Sequence, residues 1–467
     1  MTDILLIQPP VSFRNKAWEN DIIPDCPPLG LLYLAATVEN LGLSAKIVDA
    51  IDGSYSLQNI LETIKQETPK VVGITAMTMN IKGAVQLAKI LKENIAYDIK
   101  IALGGPHISA DPTIIDRYPY FDFGITGEAD ITFPMLVRKT VDCLDEVYGL
   151  YKGEIPFDLD AIPYPARHLI NFDVYKKRNF WANAIFATRG CPYHCIFCSI
   201  PAMSKKVRYR TPNNIVNEME DAYQLTGIKY FVFIDDALTI KKSFVHELCA
   251  EMRSLSFKPK WEAQSRINYV DDELLKVMKR AGCHKLIFGV ESGSERIRND
   301  IIHKKITNKQ IEFATSLCWK NSIAPDHYLM LGFPTESKED LYETVNCPLR
   351  FKPNIIGVHL TMPLPGSPLF QDAIKNGIIE EDVIDKFIRG EYGETYKGAW
   401  PYYIPKGITY EELIKARSEA YKKFYLRPGY IIKRVFKDIK SFTRLRFDIR
   451  HGLSLLLRGS SADDTTI

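Results

Sequence analysis

The stretch Thr188-Arg-Gly-Cys-Pro-Tyr-His-Cys-Ile-Phe-Cys-Ser199 decides how this chain is read. It places Cys191, Cys195 and Cys198 in a CxxxCxxC pattern where an apolar strand, expected over 183–188, runs out into a loop. Three thiolates so closely spaced let one loop wrap around one iron–sulfur cube, holding three irons of a [4Fe-4S] cluster and leaving the fourth open to a small molecule. Two other readings compete. A structural zinc site wants a fourth ligand at zinc spacing, and His194 sits inside the loop, where it would point away from a site made by its neighbours. A disulfide framework wants paired spacings, whereas here three cysteines fall within eight positions and the chain has nine in all. Both fit less well than the cluster.

Working outward, 467 residues are too many for one ordinary core and imply two or three domains. With 46% hydrophobic and 25% charged residues the chain reads as globular, and a net charge of +3 does not by itself argue for nucleic acid. The N-terminus enters a strand at once with Ile4-Leu-Leu-Ile7 and shows no signal-peptide pattern. No apolar run approaches the roughly 18 residues that span a bilayer. The expected location is therefore the cytoplasm. Cys26, Cys143, Cys249, Cys283, Cys318 and Cys347 lack paired spacing, which fits reduced thiols, most of them core residues.

Residues 1–141 alternate short apolar runs, at 4–8, 45–49, 71–76, 99–104 and 122–126, with helical patterns at 30–41, 56–66 and 81–94. That alternation predicts a doubly wound, Rossmann-like parallel sheet with its ligand beyond the carboxyl ends of the strands. The ends are rich in Gly, Thr and Pro, which permit close backbone approach and neutral hydrogen bonds. Thr75, Thr78, Gly104, Gly105, Gly127 and Glu128 are the candidate ligand-binding residues there. Neither GxGxxG nor GxxxxGK[ST] occurs, so nicotinamide and P-loop nucleotide readings are weak.

Taken with Pro27-Pro-Leu-Gly-Leu-Leu-Tyr-Leu-Ala-Ala36 and Gly104-Gly-Pro-His-Ile-Ser109, this region resembles the cobalamin-binding domain that precedes many radical S-adenosylmethionine (SAM) enzymes. Many such domains carry a DxHxxG loop whose histidine ligates cobalt. This chain has no such loop and no histidine before His107, so the lower cobalt position is expected to lack a histidine ligand, with His107 a hydrogen-bonding loop residue. A degenerate domain that keeps the fold without the ligand is the competing reading.

Residues 142–178 read as a connector around the patternless Ile155-Pro-Phe-Asp-Leu-Asp-Ala-Ile-Pro-Tyr-Pro165. Residues 179–376 show strands at 183–188, 230–234, 260–264, 285–290, 326–330 and 355–360, a partial (β/α)6 barrel of TIM type with functional residues at the strand C-termini. This region, with its cysteine loop, resembles the radical SAM superfamily. The resemblance implies that the open iron binds the amine and carboxylate of SAM and that an electron from the cluster cleaves it to a 5′-deoxyadenosyl radical. It makes Cys191, Cys195 and Cys198 the cluster ligands and Phe197 the aromatic beside the adenine. Asp235 and Asp236 become candidates for the SAM amine, Arg266 for its carboxylate and Glu291 for the ribose hydroxyls. For Arg266 and Glu291 the competing reading is a structural ion pair. Leu331-Gly-Phe-Pro-Thr-Glu336 and Pro363-Leu-Pro-Gly-Ser-Pro368 are expected to shape the walls of the site. No catalytic proton-transfer residue is singled out.

From 377 to 467 the chain is expected to be a helical extension, with a helix after Thr409 covering the barrel mouth. Basic and aromatic residues interleave over 421–458, which suits either packing on the barrel or peripheral contact with a membrane surface. The family resemblance implies a cobalamin-dependent radical SAM enzyme that methylates an unactivated carbon of a hydrophobic small molecule, with a flavodoxin or ferredoxin as electron donor and no nucleic acid partner. A radical SAM cyclase or oxidative rearrangement enzyme acting on a tetrapyrrole or hopanoid is the alternative, resting on Phe424-Tyr-Leu-Arg-Pro-Gly-Tyr-Ile431. A cobalamin-binding sensor with an inert barrel is the reading from another class, and the intact cysteine loop argues against it. No second cysteine trio precedes the barrel, which disfavours a methylthiotransferase.

Overall fold

The computed structural model describes residues 2–11, 13, 27–50, 55–144, 146–176, 183–236, 238–392 and 401–432. The apolar runs of the N-terminal third become buried strands because both faces of a parallel sheet are covered by helices. Ile4–Gln8, Ala45–Asp49, Val71–Thr75, Lys100–Gly104 and Phe123–Thr126 all pair in parallel. Spatially, 45–49 flanks 4–8 on one side and 71–75 flanks it on the other, followed by 100–104 and 123–126. Strand order therefore reverses beside 4–8, and the crevice at the carboxyl ends of 4–8 and 71–75 is where such sheets bind ligands.

A sixth parallel strand, Gly149–Lys152, pairs with Phe123–Thr126 in a stretch read from sequence as patternless connector. Its residues are alternately half-buried and exposed, and it carries no apolar run to announce it. Short helices Pro106–Ala110, Ile114–Arg117 and Thr132–Val141 likewise went unread.

The second sheet consists of Asn183–Ile185, Tyr230–Phe233, Lys260–Ser265, Cys283–Glu291, Ala324–Leu331 and Ile356–Leu360, parallel and adjacent in chain order. Among the described residues the first and last strands do not pair, so the barrel is open on one side. Phe231, Phe233, Trp261, Phe288, Leu329, Leu331, Val358 and Leu360 point outward into a single apolar core under the surrounding helices. The alternate positions, including Gln264, Tyr328 and His359, point inward and are exposed.

The helix Tyr410–Tyr425 begins as the sequence foretells, with Thr409 and Glu412 forming a capping box. Its place differs from expectation: it lies along the last strand and the helix Lys338–Phe351, not across the barrel mouth. The Tyr421 hydroxyl meets the backbone N–H and C=O of Val358 at 2.9 and 3.2 Å, and the Tyr425 hydroxyl those of Ile356 at 3.0 and 2.9 Å. Two phenols thus satisfy an edge that would otherwise be open to another strand. The helices Pro368–Lys375 and Val383–Arg389 pack instead with the first sheet, where Leu369, Phe370, Val383 and Phe387 join its core. Of the basic stretch 421–458, residues 433–458 lie outside the described residues.

Candidate functional site

The carboxyl ends of the two sheets are drawn together around the cysteine loop. A short antiparallel pair, Thr188–Arg189 with Arg208–Tyr209, leads into the loop. The Arg189 guanidinium meets Asp130 at 2.6 and 3.0 Å and Glu128 at 2.9 Å, and Arg208 also binds Glu128. Glu128, a sequence-predicted ligand residue at the end of the fifth strand of the first sheet, is therefore occupied in a clamp joining that sheet to the loop two residues before Cys191. Deeper in the same seam, the fully buried Glu218 accepts from Arg167 at 2.6 Å, from Arg210 and from the Tyr33 hydroxyl at 3.2 Å. Leu369 N donates to Ile196 O at 2.9 Å and ties the far side of the loop.

Cys191, Cys195 and Cys198 are all half-buried. Burial raises the Cys198 thiol to about 11, helped by the charges of Cys195 and Asp236, and burial likewise raises Cys191, with Asp236 and Cys195 contributing. The three sulfurs and Asp236 thus share one neighbourhood. No three His, Cys, Asp or Glu side chains among the described residues gather as a single metal ion would need. A cube takes one thiolate on each of three irons, and three soft donors on one short, half-buried loop suit it.

Phe197 lies in an apolar patch beside the loop with Phe333, ring centroids 6.0 Å apart, and with Ile297 and Met330. Phe333 N and Gly332 N donate to Glu336, whose burial lifts its pKa to about 7.

The two aspartates separate by role. Asp235 is fully buried and accepts from the backbone N–H of Ala187 and Thr188 and from the Thr188 hydroxyl at 2.6 Å, so it fixes the entrance of the cysteine loop. Asp236 makes no hydrogen bond to described residues; burial raises it to about 6.

Arg266 and Glu291 do not pair with each other. Arg266 Nη2 donates to Lys304 O at 2.7 Å, and its guanidinium stacks 3.6 Å from the centroid of Tyr193, inside the cysteine loop. Its Nε is buried without a partner, an opening for an anionic ligand. Glu291 pairs with the buried Lys304. It sits at a register shift in its strand with φ +69°, a left-handed conformation that non-glycine residues seldom adopt. A Cβ on Gly289 would stand 2.2 Å from Glu291 Oε1 and 2.7 Å from Lys304 Nζ, so any side chain there would have to displace the ends of this pair.

On the first sheet, Gly105 has φ +99° and its missing Cβ would strike Ala76 O at 2.7 Å and Thr75 Oγ1 at 2.8 Å. Gly104 and Gly127 differ: a Cβ on either would meet nothing within 4 Å. The rim they form is open and nearly uncharged. His107 Nδ1 lies 3.1 Å from Thr78 Oγ1, and burial lowers its pKa to about 4 against the opposing charge of Asp111, so it is neutral and hydrogen-bonded; its Nε2 makes no hydrogen bond to described residues and lies 4.0 Å from Asp111 Oδ2. Ser109 Oγ accepts from Gly127 N at 2.8 Å. Such a cradle suits a large ligand held by shape and backbone contact, as cobalamin would be.

Sequence reasoning missed Arg189, Asp130, Lys304, Tyr33, Arg210 and Glu218. Arg189 was within reach, being a basic residue beside Gly190 and Cys191. Asp130 and Tyr33 become partners only across long stretches of chain, and Arg210 with Glu218 and Lys304 with Glu291, eight and thirteen residues apart, carry no motif.

Two family models match the chain: the radical SAM superfamily over residues 185–347 and the B12 binding domain over residues 21–137. An uncharacterized methyltransferase of Pyrococcus horikoshii is 30% identical over 449 residues, 93% of this chain and 95% of that one. The anaerobic magnesium-protoporphyrin IX monomethyl ester cyclase of Cereibacter sphaeroides is 26% identical over 87% of this chain and 68% of its own length. Among solved structures, the cobalamin-dependent S-adenosylmethionine radical enzyme OxsB, with aqua-cobalamin and S-adenosylmethionine bound, superposes with a TM-score of 0.70 at 15% identity, covering 99% of this chain and 74% of that one.

Proposed function

We propose, from the premise that this chain belongs to the radical SAM superfamily and carries a B12 binding domain, that it methylates an unactivated carbon of a small hydrophobic molecule. The observation that carries the reading is the clamp of Arg189 on Asp130 and Glu128, because it fixes the cluster loop against the rim of the B12 binding domain. When bound, the cluster and SAM would supply radical chemistry and cobalamin a transferable methyl group.

The protein's own share is positioning. Cys191, Cys195 and Cys198 would hold the cluster, with Asp235 setting the loop's entrance. Asp236 and the Arg266 Nε would receive the SAM ammonium and carboxylate, oppositely charged and just past the ends of neighbouring strands. Phe197 would flank the adenine, and Glu291, steadied by Lys304, would accept from the ribose. Thr75, Thr78, Gly104, Gly105 and Gly127 would line the cobalamin cradle, with no histidine on the metal. Exclusion of water by the packed seam around Glu218 protects such chemistry from side reactions. A flavodoxin or ferredoxin would deliver the electron.

A second reading, cyclisation or oxidative rearrangement, is supported by the cyclase relative and by Phe424-Tyr-Leu-Arg-Pro-Gly-Tyr-Ile431. Anaerobically reconstituted enzyme given methyl-labelled SAM and a cell lipid or pigment extract separates the two. Label in a product supports methyl transfer, whereas 5′-deoxyadenosine and methionine without labelled product support rearrangement.

No helix among the described residues is long and apolar enough to cross a membrane. Peripheral contact of 421–458 with a membrane surface is a separate reading. It predicts salt-sensitive co-sedimentation of the full chain with anionic vesicles, lost in a chain ending at Ile432, which keeps the Tyr421 and Tyr425 contacts to the last strand.

A further inference from the structure

On the barrel's open side, three polar groups have no hydrogen-bond partner among the described residues, and they lie at one level of the fold. Arg417 belongs to the buried face of the helix Tyr410–Tyr425, is only 7% exposed, and makes neither a hydrogen bond nor an ion pair. The Thr361 hydroxyl, just past the last strand, is fully buried and unpartnered. His359, two residues earlier, is likewise without a hydrogen bond.

The helix register places these groups together. Tyr425 binds Ile356 and Tyr421 binds Val358, so the helix runs antiparallel to the strand. One further turn brings Arg417 level with the strand's carboxyl end, beside residues 359–361. The Arg417 charge indeed acts on His359, as does that of Glu291. His359 faces open space, yet enough protein surrounds it for burial to depress its pKa. Tyr328 neighbours it inside the barrel, its ring 5.9 Å away and perpendicular, and a Cβ on Gly357 would stand 2.8 Å from the Tyr328 ring, so glycine keeps this wall clear.

A guanidinium removed from water without a counter-charge is costly. Glu291, the carboxylate whose charge acts on His359, is already committed to Lys304. We propose that Arg417, with Thr361 and His359, is an anion subsite on the inner wall of the barrel, so that the substrate presents a carboxylate there while its apolar body reaches toward the cluster. The inference rests on the reading of the barrel interior as the substrate chamber and adds a charge to the substrate class.

The test is calorimetric binding of decanoate and of 1-decanol, two probes alike in apolar body and differing in charge, to the reconstituted holoenzyme. Decanoate is expected to bind about tenfold tighter than decanol, a preference that Arg417→Met abolishes and Arg417→Lys partly keeps. Equal binding of the two probes by the unmutated enzyme, or an undiminished preference in Arg417→Met, overturns the proposal. Should Arg417→Met fail to fold, the unmutated enzyme and Thr361→Val, expected to weaken decanoate alone, still decide it. Label transfer from SAM, measured on the same preparation, keeps the two readings apart. Anion preference without SAM cleavage counts against the functional reading alone, and SAM cleavage without anion preference counts against the subsite alone.

Discussion

The rims of the two parallel sheets stand close together and are built from opposite materials. On the first sheet the rim is glycine, threonine and a neutral histidine, and apart from the buried His107 Nε2 its hydrogen bonds close on themselves, as in Thr78 with His107 and Ser109 with Gly127. On the barrel the rim carries three thiols, a carboxylate without a partner at Asp236, an unpartnered nitrogen on Arg266 and the lone guanidinium of Arg417. A rim satisfied by its own bonds recognises a ligand through shape. A rim with unmet charges waits for ligands that meet them. The difference assigns the first sheet to holding a large preformed cofactor and the barrel to holding the reacting molecules, and the Arg189 clamp makes the two rims one chamber.

The largest effect expected comes from removing the barrel rim's thiols. Replacing Cys191, Cys195 and Cys198 together with Ala removes the brown chromophore and all SAM cleavage, because no other cysteines of the chain have cluster spacing. Single replacements are nearly as damaging. A triple variant that retains four irons and four sulfides per chain breaks the comparison at its centre.

Next in size is the clamp. Arg189→Met leaves the buried Asp130 without its cation while Glu128 keeps Arg208, a change that costs at most about 3–5 kcal/mol, the range for breaking a buried pair. Denaturant unfolding measures the loss. Product methylation is expected to fall further than SAM cleavage, since the cluster loop keeps its cysteines while its alignment with the first sheet suffers. Equal loss of both activities argues that the clamp serves stability alone.

Acid tests the interiors behind the rims. His327 is fully buried, and burial holds its pKa near about 3 against an ordinary 6.5. The unfolded chain binds this proton below pH 6.5 and the folded chain does not, so stability drops as pH falls from 6.5 toward 3. At pH 5 the loss from this residue is about 2 kcal/mol. His327→Gln should flatten that slope, and an unchanged slope would show that other groups set it.

The smallest effect belongs to the edge seal. Tyr421→Phe and Tyr425→Phe each remove a hydroxyl that serves the backbone of the last strand, for about 1 kcal/mol apiece in urea unfolding. If the double variant also self-associates, the phenols shield the edge from other strands; if it loses stability alone, they serve only as hydrogen-bond partners.

Much of this architecture was readable in the residues. Apolar runs such as Ile4–Ile7 and Val71–Ile74 mark parallel strands because both faces are buried, and the cysteine spacing marks the loop. Gly149–Lys152 was not readable, because an edge strand with a solvated face carries no apolar run. The helix after Thr409 was visible through its capping box, whereas its place along Ile356–Leu360 depended on two tyrosine hydroxyls finding backbone partners 63 and 69 residues away. At the site, Asp235 and Asp236 look alike in sequence, and only the fold shows that the first is spent on Ala187 and Thr188. Glu291 was legible as important, but Lys304, its partner thirteen residues on, carries no motif.

The central claim is that the two rims form one chamber, and magnetic coupling between their cofactors tests it most directly. Holoenzyme carrying cob(II)alamin and the reduced cluster should show paramagnetic resonance signals broadened or split by spin–spin interaction, with no nitrogen splitting from a protein ligand on cobalt. Arg189→Met should weaken the interaction. Two unperturbed spectra, each that of an isolated centre, would contradict the account, and nitrogen splitting that vanishes in His107→Ala would contradict the cradle assigned to the first rim.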